Sequence, residues 1–199
     1  MNRTIYNTDG EYSLCPIIED DREYYVTLRE QVSGPETLFL NPVCKDLMWD
    51  QVLTGETKYY SVINRAGEFC GCIELQHPAS LMPEIGIELL AHKRNQGIAK
   101  KAIKLLVLKA NEEHPVDSYL IRILSRNTHS QHVFEQMGAV SIEKRESMLE
   151  ELMTELEEIA KGEDLSKVIR ALADTMYKGE KKAEEHVLEY RLPPSVFYN

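Results

Sequence analysis

The sequence predicts an α/β (α+β) chain of one domain over residues 1–199, and three observations carry that prediction. Residues 84–90 alternate apolar side chains with glutamates, as a strand does, whereas from Ile98 the apolar residues recur at helical spacing through Ala102, Leu105 and Leu106. Two strand-like runs, 58–63 and 68–75, flank Asn64-Arg65-Ala66-Gly67, a hairpin turn by composition. Residues 146–179 read as two amphipathic helices, one carrying Leu149, Leu152, Leu156 and Ile159, the other Leu165, Val168, Leu172 and Met176.

The remaining elements follow in order. Residues 11–17 are strand-like, and Glu19-Asp20-Asp21 supply acids for a helix start, followed at helical spacing by Tyr24, Tyr25 and Leu28. Ser33-Gly34-Pro35 stops that helix, and Asn41-Pro42 opens a second, with Leu47, Met48, Trp49 and Val52, closed by Gly55. Gly71 inside the 68–75 strand marks a close backbone approach or a bulge. The helix from Gly97 ends near Glu113, ahead of Pro115. A strand over 118–124 places Tyr119, Ile121 and Ile123 on one face; Asn127 or Thr128 caps a helix that runs to Met137 and ends at Gly138. Strands over 139–144 and 185–192 bracket the helical hairpin, an insertion at about 146–181 with Gly162 as stop and Asp164 as new cap.

Between the 84–90 strand and its helix lies Arg94-Asn95-Gln96-Gly97-Ile98-Ala99, a strand-to-helix turn whose free amides and positive helix end suit an anion such as phosphate. Charge sharpens this. The chain carries a formal charge of -10, yet no Asp or Glu occurs between Glu88 and Glu112, a gap that holds Lys93, Arg94, Lys100, Lys101, Lys104 and Lys109. Lysines in a first helical turn oppose the macrodipole at about 0.3–1 kcal/mol each unless an anion compensates, so the island reads as a polyphosphate seat. An ordinary solvated helix face is the alternative.

Composition excludes several classes. A hydrophobic content of 43% supplies a core and argues against global disorder. No apolar run approaches the ~18 residues of a membrane span, no basic-then-apolar signal opens the chain, and the acidic balance disfavours nucleic acid while suiting cationic partners. Cys15, Cys44, Cys70 and Cys72 lack paired metal spacing; Cys70 and Cys72, sharing one strand face, read as two small buried thiols. His129-x-x-His132 has helix-face metal spacing but no third ligand, so no metal is expected. A reduced, cytoplasmic protein is expected.

Element order now meets a family. Arg94-x-x-Gly97-x-Ala99 at a strand–helix junction, with Asn127-x-x-Ser130 and Met137-Gly138-Ala139 downstream, resembles the GCN5-related N-acetyltransferases (GNAT), and most their branch acting on ribosomal-protein N-termini and polyamines. The resemblance covers about 11–145 and 183–192, leaving the hairpin outside. It implies a mixed, mostly antiparallel sheet flanked by helices, with acetyl-CoA as co-substrate. It places Leu89, Leu90 and Ala91 along the pantetheine arm, the amides of Arg94, Asn95, Gln96, Gly97, Ile98 and Ala99 on the pyrophosphate, and Asn127, Ser130 and Phe134 on the cofactor side of the next helix. Lys93, Lys100 or Lys101 reaching phosphates is an electrostatic inference.

The implied reaction moves an acetyl group directly from acetyl-CoA to a primary amine: a peptide or protein N-terminus, a polyamine or a small-molecule amine. It needs a base and an oxyanion donor. Glu84 and Glu88 share a strand face and are the candidate carboxylates, unless they are solvent-side alternation or bind a cationic acceptor; the Leu90 N–H is the candidate donor. Phe134 stands where many members carry a tyrosine that protonates the leaving thiolate, and phenylalanine donates no proton. That departure keeps open a non-catalytic acyl-CoA-binding module acting through protein interaction. A nucleotide-binding protein is disfavoured, since neither a Walker nor a Rossmann pattern is present. The hairpin's apolar seam packs within itself and on the body, or forms a dimer surface; monomer and homodimer are both compatible with the sequence.

Overall fold

The computed structural model describes residues 3–33, 42–146 and 186–198. The strands are β1 (Asn7–Thr8), β2 (Tyr12–Pro16), β3 (Lys58–Asn64), β4 (Phe69–Gln76), β5 (Glu84–Leu89), β6 (Tyr119–Leu124), β7 (Val140–Glu146) and β8 (His186–Leu192). The helices are α1 (Arg22–Ser33), α2 (Pro42–Thr54), α3 (Ile98–Glu113) and α4 (Thr128–Gln136). The strands form one sheet ordered β1-β2-β3-β4-β5-β6-β8-β7. Every neighbouring pair is antiparallel except β5–β6. The expected mixed, mostly antiparallel sheet with helices is thus the observed architecture. Among the strands of the described residues, the two-residue β1 alone has no counterpart in the sequence reading.

Apolar residues fill both faces of the sheet. On one, Leu14, Val62, Ile73, Leu75, Ile85 and Leu89 pack against Ile98, Ala102, Ile103 and Leu106 of α3 and Phe134 of α4. On the other, Cys15, Ile63, Phe69 and Cys72 pack against Tyr25 and Leu28 of α1 and Trp49 and Val52 of α2. The alternation is plain in β6, which buries Tyr119, Ile121 and Ile123 and leaves the residues between them half-buried.

Turn chemistry behaves as its residues require. Asn64 Oδ1 accepts from the amides of Ala66 and Glu68, and Gly67 sits at φ 82°, which closes the β3–β4 hairpin. One expectation fails here. Cys70 and Cys72 do not share a face: the register slips between Val62↔Gly71 and Ile63↔Phe69, and this bulge turns Cys70 to the α3 side and Cys72 to the α1 side. Both remain buried free thiols. Gly71 is therefore both a bulge residue and a close approach, because a β-carbon there would lie 2.2 Å from the Glu88 carbonyl oxygen.

The helical insertion expected at about 146–181 lies, from residue 147 onward, outside the described residues. Among the described residues, no helix is long and apolar enough to cross a membrane.

Candidate active site

The parallel pair β5–β6 creates the site by failing to stay paired. The strands are bridged at Glu84↔Leu120, where the Leu120 amide donates to Pro83 O at 2.9 Å, and no further pair joins them. Toward Leu89 and Leu124 the two strands are unpaired with each other, which leaves a wedge in the ladder. The antiparallel register with β4 sets which groups face the wedge. Leu90 N donates to Cys70 O at 3.0 Å, and Glu88 pairs with Cys72, so the even-numbered residues of β5 bond toward β4. The groups of Ile87 and Leu89 point the other way, into the wedge. The Leu90 amide, the expected donor, is therefore engaged within the sheet, whereas the Leu89 N–H points toward β6. Leu89 O accepts from Arg94 Nε at 3.0 Å, and the Ala91 amide donates to Gln31 Oε1 of α1 at 3.0 Å.

The turn at the mouth of the wedge has the form expected of an anion seat. One 3-10 turn over Ala91–Lys93 leads through Asn95 at φ 60° to Gly97 at φ 75°, the residue that caps α3. Arg94, Asn95, Gln96 and Gly97 are exposed, whereas Ile98 is buried and anchors the helix start in the core. The first intrahelical bond runs from Lys101 N to Gly97 O at 3.3 Å, so the amides of Ile98, Ala99 and Lys100 have no intrahelical acceptor, and no acid occupies the first turn. Gln96 is spent locally, its Nε2 donating to His92 O at 2.8 Å.

The basic island only partly converges on this seat. Lys93 pairs with Glu68 at 2.7 Å, Lys101 pairs with Glu11 above the Tyr12 ring, and Lys109 pairs with Glu112 at 3.1 Å. Arg94 and Lys100 flank the seat itself, Lys100 bridging α3 to Gln136 of α4.

Across the wedge, Asn127 caps α4 by accepting from the Ser130 amide at 3.1 Å. A residue absent from the sequence reading also stands here: Gln131 Nε2 donates to Ser125 O at 2.9 Å and holds the end of β6. Phe134 is 5% exposed and part of the core, so its ring is a packing element. His129 and His132 are exposed, and among the described residues no group of three His, Cys, Asp or Glu could hold a metal ion.

On the α1 side of the sheet, alternation places Glu84, Gly86 and Glu88 on one face, as expected. Each glutamate meets an arginine: Arg122 Nε donates to Glu84 Oε2 at 2.8 Å, and Arg29 of α1 pairs with Glu88. Between them lies a third carboxylate, Glu74, directly opposite Gly86 in the β4–β5 register. Its Oε1 accepts from Gln76 Nε2 at 2.8 Å. Burial pushes the Glu74 carboxyl up, opposed by Gln76 and the Arg29 charge. Burial also raises the neighbouring phenols of Tyr25 and Tyr59. The signal for Glu74 was available, as the one carboxylate in the strand FCGCIELQ. Arg29 and Arg122, the partners of Glu88 and Glu84, carried none.

Comparison with known proteins places this geometry. The family described as Acetyltransferase (GNAT) domain matches residues 14–140, more than half of the chain. No curated protein matches. Among solved structures, a Vibrio cholerae spermidine N-acetyltransferase in complex with CoA and spermine superposes with a TM-score of 0.67 at 11% identity, covering 96% of this chain and 100% of that one. A chimera of the Vibrio cholerae spermidine N-acetyltransferase and hSSAT gives 0.68 at 11%, covering 95% and 99%. A putative acetyltransferase gives 0.66 at 14%, covering 100% and 91%. At such identities these likenesses establish the fold, and the family match establishes the rest: the chain belongs to the GNAT acetyltransferases, enzymes that use acetyl-CoA to acetylate an amine.

Proposed function

We propose that the wedge between β5 and β6 receives the pantetheine arm and that the amine acceptor approaches across the α1 face of β4 and β5. The observation that carries this reading is the opening of the wedge beside the turn at Gly97, where unbonded amides and two flanking cations, Arg94 and Lys100, suit the pyrophosphate. The backbone of Ile87 and Leu89 then continues the sheet onto the pantetheine amides. The Leu89 N–H polarises the thioester carbonyl as negative charge develops on its oxygen. Asn127 and Ser130 border the cofactor from α4, while Phe134 supports them from the core.

Glu84 and Glu88 give the acceptor floor its negative potential, which attracts an ammonium group. The acceptor is a primary amine that is cationic in solution; spermidine, a peptide N-terminus and a small monoamine all satisfy that chemistry, and the spermidine-acetylating neighbours share the fold that frames it. No acetyl-enzyme is required, since Cys70 and Cys72 are buried away from the wedge and their thiols are pushed up by burial. With Phe134 unable to donate, the thiolate is protonated by the nitrogen that attacks or by water.

The test is thiol release from acetyl-CoA across a panel of spermidine, N-terminal peptides and monoamines. Amine-dependent release with acetyl recovered on nitrogen is expected. Acetyl-CoA binding without release on any amine would reject direct transfer.

A further inference from the structure

The acceptor floor holds three carboxylates, and the surroundings treat them differently. Glu84 and Glu88 each receive a hydrogen bond from an arginine, so an incoming ammonium would compete there with a fixed guanidinium. Glu74 has no hydrogen bond from a cation among the described residues; its partners are the neutral amide of Gln76 and the phenol of Tyr59, its cross-strand neighbour. The sheet also makes room for it. Gly86 of β5 faces Glu74 across the β4–β5 ladder, and a β-carbon at Gly86 would sit 2.4 Å from Glu74 Oε1 and 2.9 Å from its carboxyl carbon. The missing side chain is what lets the carboxylate lie flat on β5, midway between Glu84 and Glu88.

We propose that Glu74 is the group that takes the proton from the acceptor's ammonium. This rests on the direct-transfer reading above. The ammonium, drawn by the floor, gives one proton to a Glu74 oxygen. The freed nitrogen lone pair forms the N–C bond to the thioester carbonyl, and the C–S bond breaks as the carbonyl re-forms. The second nitrogen proton ends on the departing sulfur, directly or through water, and the Glu74 proton passes to solvent. Acetyl-CoA and R–NH3+ thus become the amide, CoA–SH and one released proton.

The groups that face Glu74 set the pH at which it works. Burial raises it, and Glu88 on β5 acts in the same direction; Arg29 on α1 opposes them, as do Gln76 and the Tyr59 hydroxyl on β3. Tyr25 of α1 and Cys72 of β4 complete the titratable neighbours among the described residues, and burial raises both groups. A carboxylate raised in this way accepts a proton more readily than an exposed glutamate. Activity therefore falls as pH drops through a value above the usual carboxylate range.

The experiment compares the full chain with Glu74→Gln and Glu88→Gln, reading kcat, the KM for amine, the Kd for acetyl-CoA and the pH profile of kcat/KM. Glu74→Gln should lose kcat by about 100-fold and lose the acid limb of the profile, with acetyl-CoA affinity unchanged. Glu88→Gln should keep the limb. Gly86→Ala, which retains the carboxyl but crowds it out of place, should lower kcat with acetyl-CoA affinity unchanged. A wild type with amine-dependent release and a Glu74→Gln variant that keeps its rate and acid limb would overturn the role of Glu74 alone. A wild type with no release on any amine would overturn the direct-transfer reading and the role of Glu74 with it.

Discussion

Glu74 and Gly86, partners across the β4–β5 ladder, share space that one β-carbon would fill. The atoms it would meet are the outer atoms of the Glu74 side chain, which can rotate away. Gly86→Ala is therefore expected to change stability by less than about 1 kcal/mol while lowering turnover, a separation that urea denaturation and steady-state kinetics would reveal together.

Gly71 makes the opposite case. Its β-carbon would meet backbone, 2.2 Å from Glu88 O and 2.8 Å from Leu89 Cα, and neither atom can rotate aside. Gly71→Ala should cost about 2–3 kcal/mol and push β5 toward the wedge, lowering turnover as well. A denaturation midpoint equal to that of the wild type would refute the close approach.

At the helix entrance, Gly97 has φ 75° and nothing within 4 Å of its β-carbon position. A side chain there meets left-handed strain of about 1–2 kcal/mol but no clash. Gly97→Glu should thus fold and yet weaken acetyl-CoA binding by at least about 100-fold, because a carboxylate would stand at the pyrophosphate. Calorimetric titration with acetyl-CoA measures this directly; unchanged affinity would sink the cofactor seat.

Removing the Glu88 charge leaves the Arg29 guanidinium facing the floor without its carboxylate. Glu88→Gln is expected to raise the KM for a cationic amine by about tenfold, with a smaller effect on kcat and none on acetyl-CoA affinity. Rising ionic strength should narrow the difference between variant and wild type.

Far from the wedge, Asp21 is fully buried and accepts two bonds from Arg3, at 2.6 and 2.8 Å, and one from Ser61 Oγ at 2.8 Å. It ties the N-terminal arm to β3. Asp21→Ala should destabilise the fold by about 3 kcal/mol, since it leaves a guanidinium and a buried hydroxyl without their acceptor. Residual turnover in the cold would show that the loss is one of stability.

Features legible in the sequence were those that neighbouring residues specify together. The turn at Gly97 needs a residue that tolerates positive φ, and the α3 helix needs the spacing of Ile98, Ala102 and Leu106; both requirements are local. The fate of the carboxylates was not local. Arg29 reaches Glu88 from 59 residues away and Arg122 reaches Glu84 from 38 away, distances at which side-chain spacing carries no information. The bulge at Cys70 is a further case, because one extra residue in β4 reverses an alternation that looks regular in the sequence.

By itself, then, the sequence determined the strand–turn–helix around Gly97 and the sharing of one face by Glu84 and Glu88, since a period of two residues and the steric freedom of glycine suffice for both. The tertiary structure decided which groups of that stretch are free to act. Pairing with Cys70 consumed the Leu90 amide and left that of Leu89 facing the wedge, because antiparallel register points alternate backbone groups in opposite directions. Packing of α1 and β6 against β5 matched Glu88 and Glu84 with arginines, and the β4–β5 ladder laid Glu74, which accepts from the neutral Gln76 amide, between them.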